Sequence, residues 1–371
     1  MSKPDLANPL EVCEIAEVQN NDLESNEILE AALEGASITL RELQDSQFFP
    51  LTARLEFLKR LENKLSEQSE NIARVLSGEI ALPLDLARAE ISQSIEALKQ
   101  LIQNPLESAE DSSGIHVLLS AFNSPILLPL QELARSWIQG VPVLWKPSSK
   151  AALSALCLAD FIHAEALPPG FFALLHMQKE VVSIVINDPR VSTVTVQCAL
   201  EKPEDFPSRQ TIKNKNLVKF RISESHNESK KFATFSESDD FNDQIQYYFE
   251  KAFDFAGQRR DSLKNLYVPP ALYQKVLRTL NEKTAELSYG NTSGGFRVGP
   301  MINTAAVEKI RFEKARLLNS GAQLSIESKN CEALYEPNWA VAPMIFHNLA
   351  KGDSWENSKI LGPLLAVHTL D

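Results

Sequence analysis

Residues 121–149, AFNSPILLPLQELARSWIQGVPVLWKPSS, decide how the chain is read. The stretch opens on Phe122-Asn123-Ser124-Pro125, an Asn inside a Pro-bounded turn. Leu127, Leu130, Leu133, Ala134 and Trp137 follow at three- and four-residue spacing, which predicts a helix with one apolar face. Gln139-Gly140 closes it, because glycine accepts the left-handed cap. Residues 141–145 read as a buried strand that ends in Lys146-Pro147-Ser148-Ser149. Loop, helix, strand and a Lys at the strand's carboxyl end is the layout of a cofactor crevice in an open parallel sheet. An ordinary βαβ unit with a solvated Lys has the same spacing, so the flanking sequence must decide.

Upstream, residues 27–35 favour a short helix. Leu51, Leu55, Leu58, Leu61 and Leu65 mark an amphipathic helix with a stop at Ser77-Gly78. A further helix covers residues 85–103, with Ile91, Ile95, Leu98 and Ile102 on one face and its charges opposite. Residues 114–120 form the first convincing strand and run straight into Phe122. Downstream come a helix (151–166), a strand (171–175), a helix or strand (181–186) and a strand (191–196). Strands alternating with helices of this length predict a parallel sheet covered on both faces. Residues 200–245 are polar, and only 217–222 and 232–235 look strand-like. A helix over 245–255 then ends at Ala256-Gly257-Gln258. A strand (266–268), a helix (272–287), a Gly-rich loop (289–300), a helix (305–320) and a last strand after Leu361-Gly362-Pro363-Leu364 complete the chain.

Composition narrows the class. With 44% apolar and 23% charged residues the chain reads as a soluble globular protein. No run of 18 apolar residues is present, so no membrane span is expected, and the N-terminus lacks a secretory pattern. Cys13, Cys157, Cys198 and Cys331 are far apart, without CxxC, and no HExxH occurs; the expectation is a cytoplasmic protein with no disulfide and no metal site. Residues 1–48 hold eleven Asp or Glu against Lys3 and Arg41, which accounts for most of the net charge of −12. Residues 1–28 are therefore expected to be an acidic disordered tail. That balance excludes a nucleic-acid partner, since the basic run Lys213, Lys215, Lys219, Arg221 has no aromatic platform beside it.

The order of elements resembles the aldehyde dehydrogenase superfamily over residues 47–371. Phe122-Asn123-Ser124-Pro125 is similar to the family's Trp-Asn-Phe-Pro loop, and Lys146-Pro147-Ser148 to its Lys-Pro-Ser motif, 23 residues after the Asn. Ala166-Leu-Pro-Pro-Gly170 matches Gly-Leu-Pro-Pro-Gly, and Phe255-Ala-Gly-Gln258 resembles Asn-Ala-Gly-Gln. Val298-Gly-Pro-Met-Ile302 and Ile360-Leu-Gly-Pro363 resemble Val-Gly-Pro-Leu-Ile and Ile-Phe-Gly-Pro. Colinear matches are specific where single ones are not. The resemblance implies an α/β fold with a Rossmann-type parallel-sheet cofactor domain (29–250, with the N-terminal helices) and a second, incomplete α/β catalytic-type domain (251–371). It also implies that both halves of the oligomerisation arm are missing, hence a monomer or an oligomer unlike the family's.

In that family a Cys thiolate attacks the aldehyde, an Asn amide steadies the oxyanion, hydride passes to NAD(P), and a Glu activates water. Asn123 keeps the oxyanion position. Arg260 stands where the Cys belongs, and an Arg guanidinium cannot be acylated. Arg221 falls where the catalytic Glu would be, with Glu224 a displaced candidate. Phe122, Lys146, Ser148, Ser149 and Lys359 fall on cofactor positions, Lys359 replacing a ribose-binding Glu. Val196-Gln197-Cys198-Ala199 replaces Phe-Thr-Gly-Ser, which removes a glycine and a hydroxyl from the pyrophosphate site; Cys198 reads as a packed small residue. NAD or NADP binding is thus expected to be weakened or lost, with Ser149 tolerating a 2′-phosphate. The implied function is a catalytically inactive relative of NAD(P)-dependent aldehyde oxidation. The alternatives are an active NAD(P)-dependent oxidoreductase using a modified mechanism, and a non-catalytic binding or scaffold protein for an anionic small molecule such as a carboxylate or phosphate.

Overall fold

The apolar helix expected from the opening stretch forms as α5 (Leu127–Ile138) and buries Leu130, Leu133, Ala134 and Trp137 against a parallel sheet. The computed structural model describes residues 22–45, 47–105, 114–176, 179–197, 219–222, 232–236, 240–259, 261–333, 337–358 and 360–370. The sheet consists of β1 (Ile115–Leu119), β2 (Val143–Lys146), β3 (Phe172–Leu174), β4 (Val191–Val196) and β5 (Lys219–Ile222). Their order is β3-β2-β1-β4-β5, and every pairing is parallel.

Successive residues of β1 and β2 point to opposite faces, and both faces bury apolar residues, as a doubly covered sheet requires, with His116 the polar exception on β1. Leu118, Val143 and Trp145 join the core with α2 (Leu51–Glu67), α3 (Ser69–Ile80), α4 (Leu84–Gln103), α5 and α6 (Ala152–His163). Ile115, Val117, Leu119 and Leu144 join the opposite core with α1 (Asp22–Glu42) and α7 (Lys179–Asn187). Trp137 anchors the first core, edge-on to Phe57 at 5.3 Å between centroids.

A second sheet runs β6 (Phe232–Thr234), β7 (Asn265–Val268), β10 (Leu364–Thr369), β9 (Met344–His347), β8 (Gln323–Glu327), in that spatial order. Only β8 is antiparallel to its neighbour. The helices α8 (Phe241–Phe253), α9 (Pro270–Glu286) and α10 (Thr304–Asn319) cover it. This unit takes β6 and α8, both of which begin before residue 251.

Several local expectations are corrected. α1 starts at Asp22, inside the stretch read as tail, because Leu29, Leu33 and Ala36 give it a buried stripe. The helix after Pro50 breaks at Gln68 rather than at Gly78, which lies within α3; the stop is Ala81, in the left-handed region at φ 57°. The strands β8 and β9 were not expected from the sequence. β8 is a half-exposed edge, and β9 is four residues long. The charges of α4 do not all lie opposite its apolar face, since Glu90 is buried. Residues 1–21 lie outside the described residues.

Candidate functional site

Open parallel sheets hold ligands in the crevice beyond the carboxyl ends of their strands, and here those ends are supplied by the parallel neighbours β1 and β2. Trp145 Nε1 donates to Ser120 Oγ at 2.9 Å, tying the end of β2 to the loop that leaves β1. Lys146 stands half-buried at the end of β2. Ser148 Oγ accepts the Lys150 backbone N–H at 3.3 Å, which turns the chain into α6 and leaves Ser149 exposed. The Lys150 ammonium lies 5.1 Å from the centre of the Phe122 ring, a cation–π contact. His176, just past β3, faces the same charges. Partial loss of hydration, then the Lys146 cation, hold its imidazole below the ordinary value, and Glu79 opposes them. Glu79 also accepts the backbone N–H groups of Leu153 and Ser154 at 2.6 and 2.8 Å, so its charge is committed to the first turn of α6.

Gln197 closes one side of this crevice. Its backbone N–H donates to Leu119 O at 2.8 Å, and its Nε2 donates to Leu128 O at 2.9 Å. A buried glutamine side chain thus lies between the end of β4 and the first turn of α5, where a smaller residue would leave room.

Across the crevice stands the loop after α8. Phe255, Ala256 and Gly257 all have positive φ, at 54°, 53° and 62°. Non-glycine residues pay about 1–2 kcal/mol each for that conformation, so the surroundings must hold it. Phe255 N–H donates to Arg297 O at 2.9 Å, and Arg297 grips Asp254 with two bonds of 2.6 and 2.5 Å. Burial pushes the Asp254 carboxyl up, and Arg297 pulls it back. Gln258 Nε2 donates to the carbonyls of Phe255 and Pro300, and its Oε1 accepts from Ile302 N–H at 2.8 Å. Lys264 is fully buried and donates to Gly257 O at 3.1 Å and Gly362 O at 2.7 Å.

Among the described residues the two sides meet at several points, as where Leu84 N–H donates to Thr292 O at 2.9 Å and Gly295 N–H to Asp85 Oδ2 at 2.7 Å, and two further contacts flank the loop after α8. Asn123 Nδ2 donates to Gln258 O at 3.1 Å, and the Phe122 and Phe255 rings stand edge to face with centroids 6.5 Å apart. Beneath Asn123 lies Glu90. Its Oε1 accepts from Ser124 Oγ at 3.2 Å, Ile126 N–H at 3.2 Å and Leu127 N–H at 3.4 Å. Oε2 has no hydrogen-bond partner among the described residues. Burial raises the Glu90 carboxyl above its ordinary value; the Arg259 cation and the three donors oppose this without cancelling it.

The structure thus brings Phe122 and Asn123 against the Ala256-Gly257-Gln258 loop, and gathers Lys146 and Ser148 on the crevice rim with Ser149 exposed beside them. Arg221 lies on β5, paired with Thr195 of β4 at the sheet edge, and its side chain is not described. Arg260, Lys359, Cys198 and Glu224 lie outside the described residues. Cys157 sits on α6, its thiol pushed up by burial and by Asp160 and Glu79, and Cys331 is exposed. Glu90, Gln258, Lys264, Lys150 and His176 escaped the sequence reading as site residues. Gln258 was visible only as the last residue of the Phe255–Gln258 motif, and Glu90 only as an acid beside the apolar Ile91 on an otherwise patterned helix. Among the described residues, no group of three or more His, Cys, Asp or Glu could hold a metal ion, and no helix is long and apolar enough to cross a membrane.

Comparison with known proteins places this geometry. The model of the aldehyde dehydrogenase family matches residues 2–371. The chain is 24% identical to the 3-sulfolactaldehyde dehydrogenase of Priestia aryabhattai over 341 residues, covering 86% of this chain and 68% of that protein. In structure it is similar to an aldehyde dehydrogenase from Bartonella henselae, with a TM-score of 0.82, 20% identity, and coverage of 94% of this chain and 75% of that one. It is also similar to the succinic semialdehyde dehydrogenase of Streptococcus pyogenes in complex with NADP+, with a TM-score of 0.81, 19% identity, and coverage of 93% and 77%. The motifs quoted from the sequence, the two sheets they lie on and the match along nearly the whole chain agree, and the chain belongs to the aldehyde dehydrogenase family.

Proposed function

We propose that this chain is a catalytically inactive aldehyde dehydrogenase that retains an anion-binding crevice, with a phosphorylated dinucleotide as its best-fitting ligand. One observation carries the reading: Asn123 donates to Gln258 O. That contact supports the register of both motifs, so the residue two places after Gln258 stands in for the nucleophile, and in the sequence it is Arg260. A guanidinium accepts no acyl group. Its charge, with Arg259 beside it, favours a carboxylate or phosphate over a neutral aldehyde.

The crevice fits a dinucleotide in part. Lys146, Ser148, Lys150 and His176 suit the phosphate-bearing ribose of NADP, and exposed Ser149 sets no negative charge against it. Gln197 fits less well, because its side chain is buried and bonded to Leu128 O close to the first turn of α5. When bound, the dinucleotide would supply a hydride acceptor. This chain's residues would hold its phosphates and offer no thiol in register to form the hydride-donating adduct.

The test is calorimetric titration with NADP and NAD, run beside a turnover assay over a panel of aldehydes. NADP binding tighter than NAD, without turnover, is expected. Turnover that disappears in Asn123→Ala would overturn the inactive reading. No heat with either dinucleotide at millimolar concentration would overturn the ligand.

A further inference from the structure

The contact between Asn123 and Gln258 joins two sheets, and each end of it rests on a buried ionisable group that the reading above does not use. On the side of the first sheet the group is Glu90. Its Oε1 collects the Ser124 hydroxyl and the N–H groups of Ile126 and Leu127, which are the donors of the turn that follows Asn123 and opens α5. On the side of the second sheet the group is Lys264. Its ammonium collects the carbonyls of Gly257, the residue before Gln258, and of Gly362. Both side chains are 1% exposed. A carboxyl that gathers N–H donors and an ammonium that gathers carbonyls are the two complementary ways to fix irregular backbone away from water.

Each group sits where the backbone would otherwise have slack. The Asn123 turn precedes the first helical residue, so its N–H groups have no partner inside the helix. The Gly257 turn is the third of three successive left-handed residues. It is also pressed against the second loop: Gly362 N–H donates to Gly257 O at 3.1 Å, and a side chain at Gly257 would meet Gly362 O at 2.2 Å. Lys264 therefore locks the Gly257 loop to the Gly362 loop. Its own carbonyl is held by Ala366 N–H at 2.8 Å and by Trp355 Nε1 at 3.2 Å, so its backbone is fixed to β10.

We propose that Glu90 and Lys264 are paired positioning residues: the carboxyl aims Asn123 from the first sheet, the ammonium aims Gln258 from the second, and the Asn123–Gln258 bond transmits each restraint to the other side. The proposal rests on the reading that this contact is the functional junction. It does not depend on any ligand or turnover.

Hydrogen–deuterium exchange of the ligand-free full chain tests it, followed on the peptides that cover residues 123–127 and 255–258. Glu90→Leu removes the acceptor, and Glu90→Gln keeps it. Lys264→Met removes the donor. In Glu90→Leu, exchange is expected to rise about tenfold or more at 123–127 and to rise as well at 255–258. In Lys264→Met the same two segments loosen in the reverse order of magnitude. Glu90→Gln stays close to the unaltered protein at both. Leu98→Val, a core change on the same helix as Glu90, serves as the control for general destabilisation and raises neither segment selectively. If each substitution loosens only its own segment, or if Leu98→Val reproduces the pattern, both residues are merely local structural supports and the proposal is overturned. If Glu90→Leu or Lys264→Met fails to fold, Asn123→Ala carries the test: cutting the bond must loosen both segments, and protection unchanged at either one overturns the coupling. The outcome is separate from that of the dinucleotide titration, which can fail while the exchange pattern holds, or hold while it fails.

Discussion

Asn123 and Gln258, 135 positions apart, are joined by a bond from the side-chain amide of one to the backbone carbonyl of the other at 3.1 Å. Both residues are buried, so the pair lies away from competing water. A neutral hydrogen bond contributes about 0.5–1.5 kcal/mol net, but a buried partner left unmatched costs about 1–3 kcal/mol. Asn123→Ala leaves the Gln258 carbonyl without this donor. It should destabilise the chain by about 1–3 kcal/mol in denaturant unfolding, and no measurable loss would show that the contact is dispensable.

Gly257 and Gly295 make a matched pair for testing backbone strain. Both have positive φ, at 62° and 88°. A Cβ on Gly257 would meet Gly362 O at 2.2 Å and Ala252 O at 2.9 Å, whereas a Cβ on Gly295 would meet nothing within 4 Å. Gly257→Ala adds a clash with rigid backbone to the conformational cost and should lose about 3–5 kcal/mol. Gly295→Ala should lose about 1 kcal/mol. Equal losses from the two, by thermal melts of both variants, would contradict the packing described around Gly257.

Glu90 sets a pH dependence whose sign follows from its burial. Its folded-state value is raised above the ordinary 4.5. Its contribution to stability is therefore fully present below about pH 4.5 and is lost as the pH rises through the raised value. Glu90→Gln cannot ionise and keeps the Oε1 acceptor. The two proteins should melt alike in acid, and the variant should gain on the unaltered chain as the pH rises toward neutrality. A gap that stays constant across that range would mean Glu90 is not the group that titrates.

The crevice cations predict how the dinucleotide is chosen. Lys146→Ala should weaken NADP binding about tenfold, the loss of one charge-assisted contact, and weaken NAD binding less. Ser149→Glu should reverse any preference for NADP by setting a carboxylate near the 2′-phosphate. His176, held below the ordinary imidazole value of 6.5, gains its charge only in acid, so NADP affinity should rise as the pH falls below that value. Calorimetry with both dinucleotides across pH checks all three.

Periodicity carried the fold a long way. α5, β1, β2 and β4 lie close to where the 3.6-residue spacing and the short apolar runs put them, because strands buried on both faces read as continuous apolar runs. β8 left no such signal, being an edge strand with half-exposed residues, whereas β9, as short and as buried as β2, was a legible apolar run that the reading passed over. The site divides the same way. Asn123 and Lys146 were legible because motifs name them. Glu90 and Lys264 were not, because what makes them matter is burial against backbone groups distant in sequence, as with Lys264 and Gly362 O, 98 positions apart. A charged residue in a helix or before a strand reads as solvated until its neighbours are known.

Arg260 in the nucleophile position, with Asn123 bonded to the loop before it, is proposed to leave this family member unable to oxidise aldehydes. Initial rates of NADH or NADPH formation over an aldehyde panel, measured on the unaltered chain and on Asn123→Ala, test it most directly. No turnover above the uncatalysed background in either protein is the predicted result. Turnover by the unaltered chain that Asn123→Ala abolishes would contradict it.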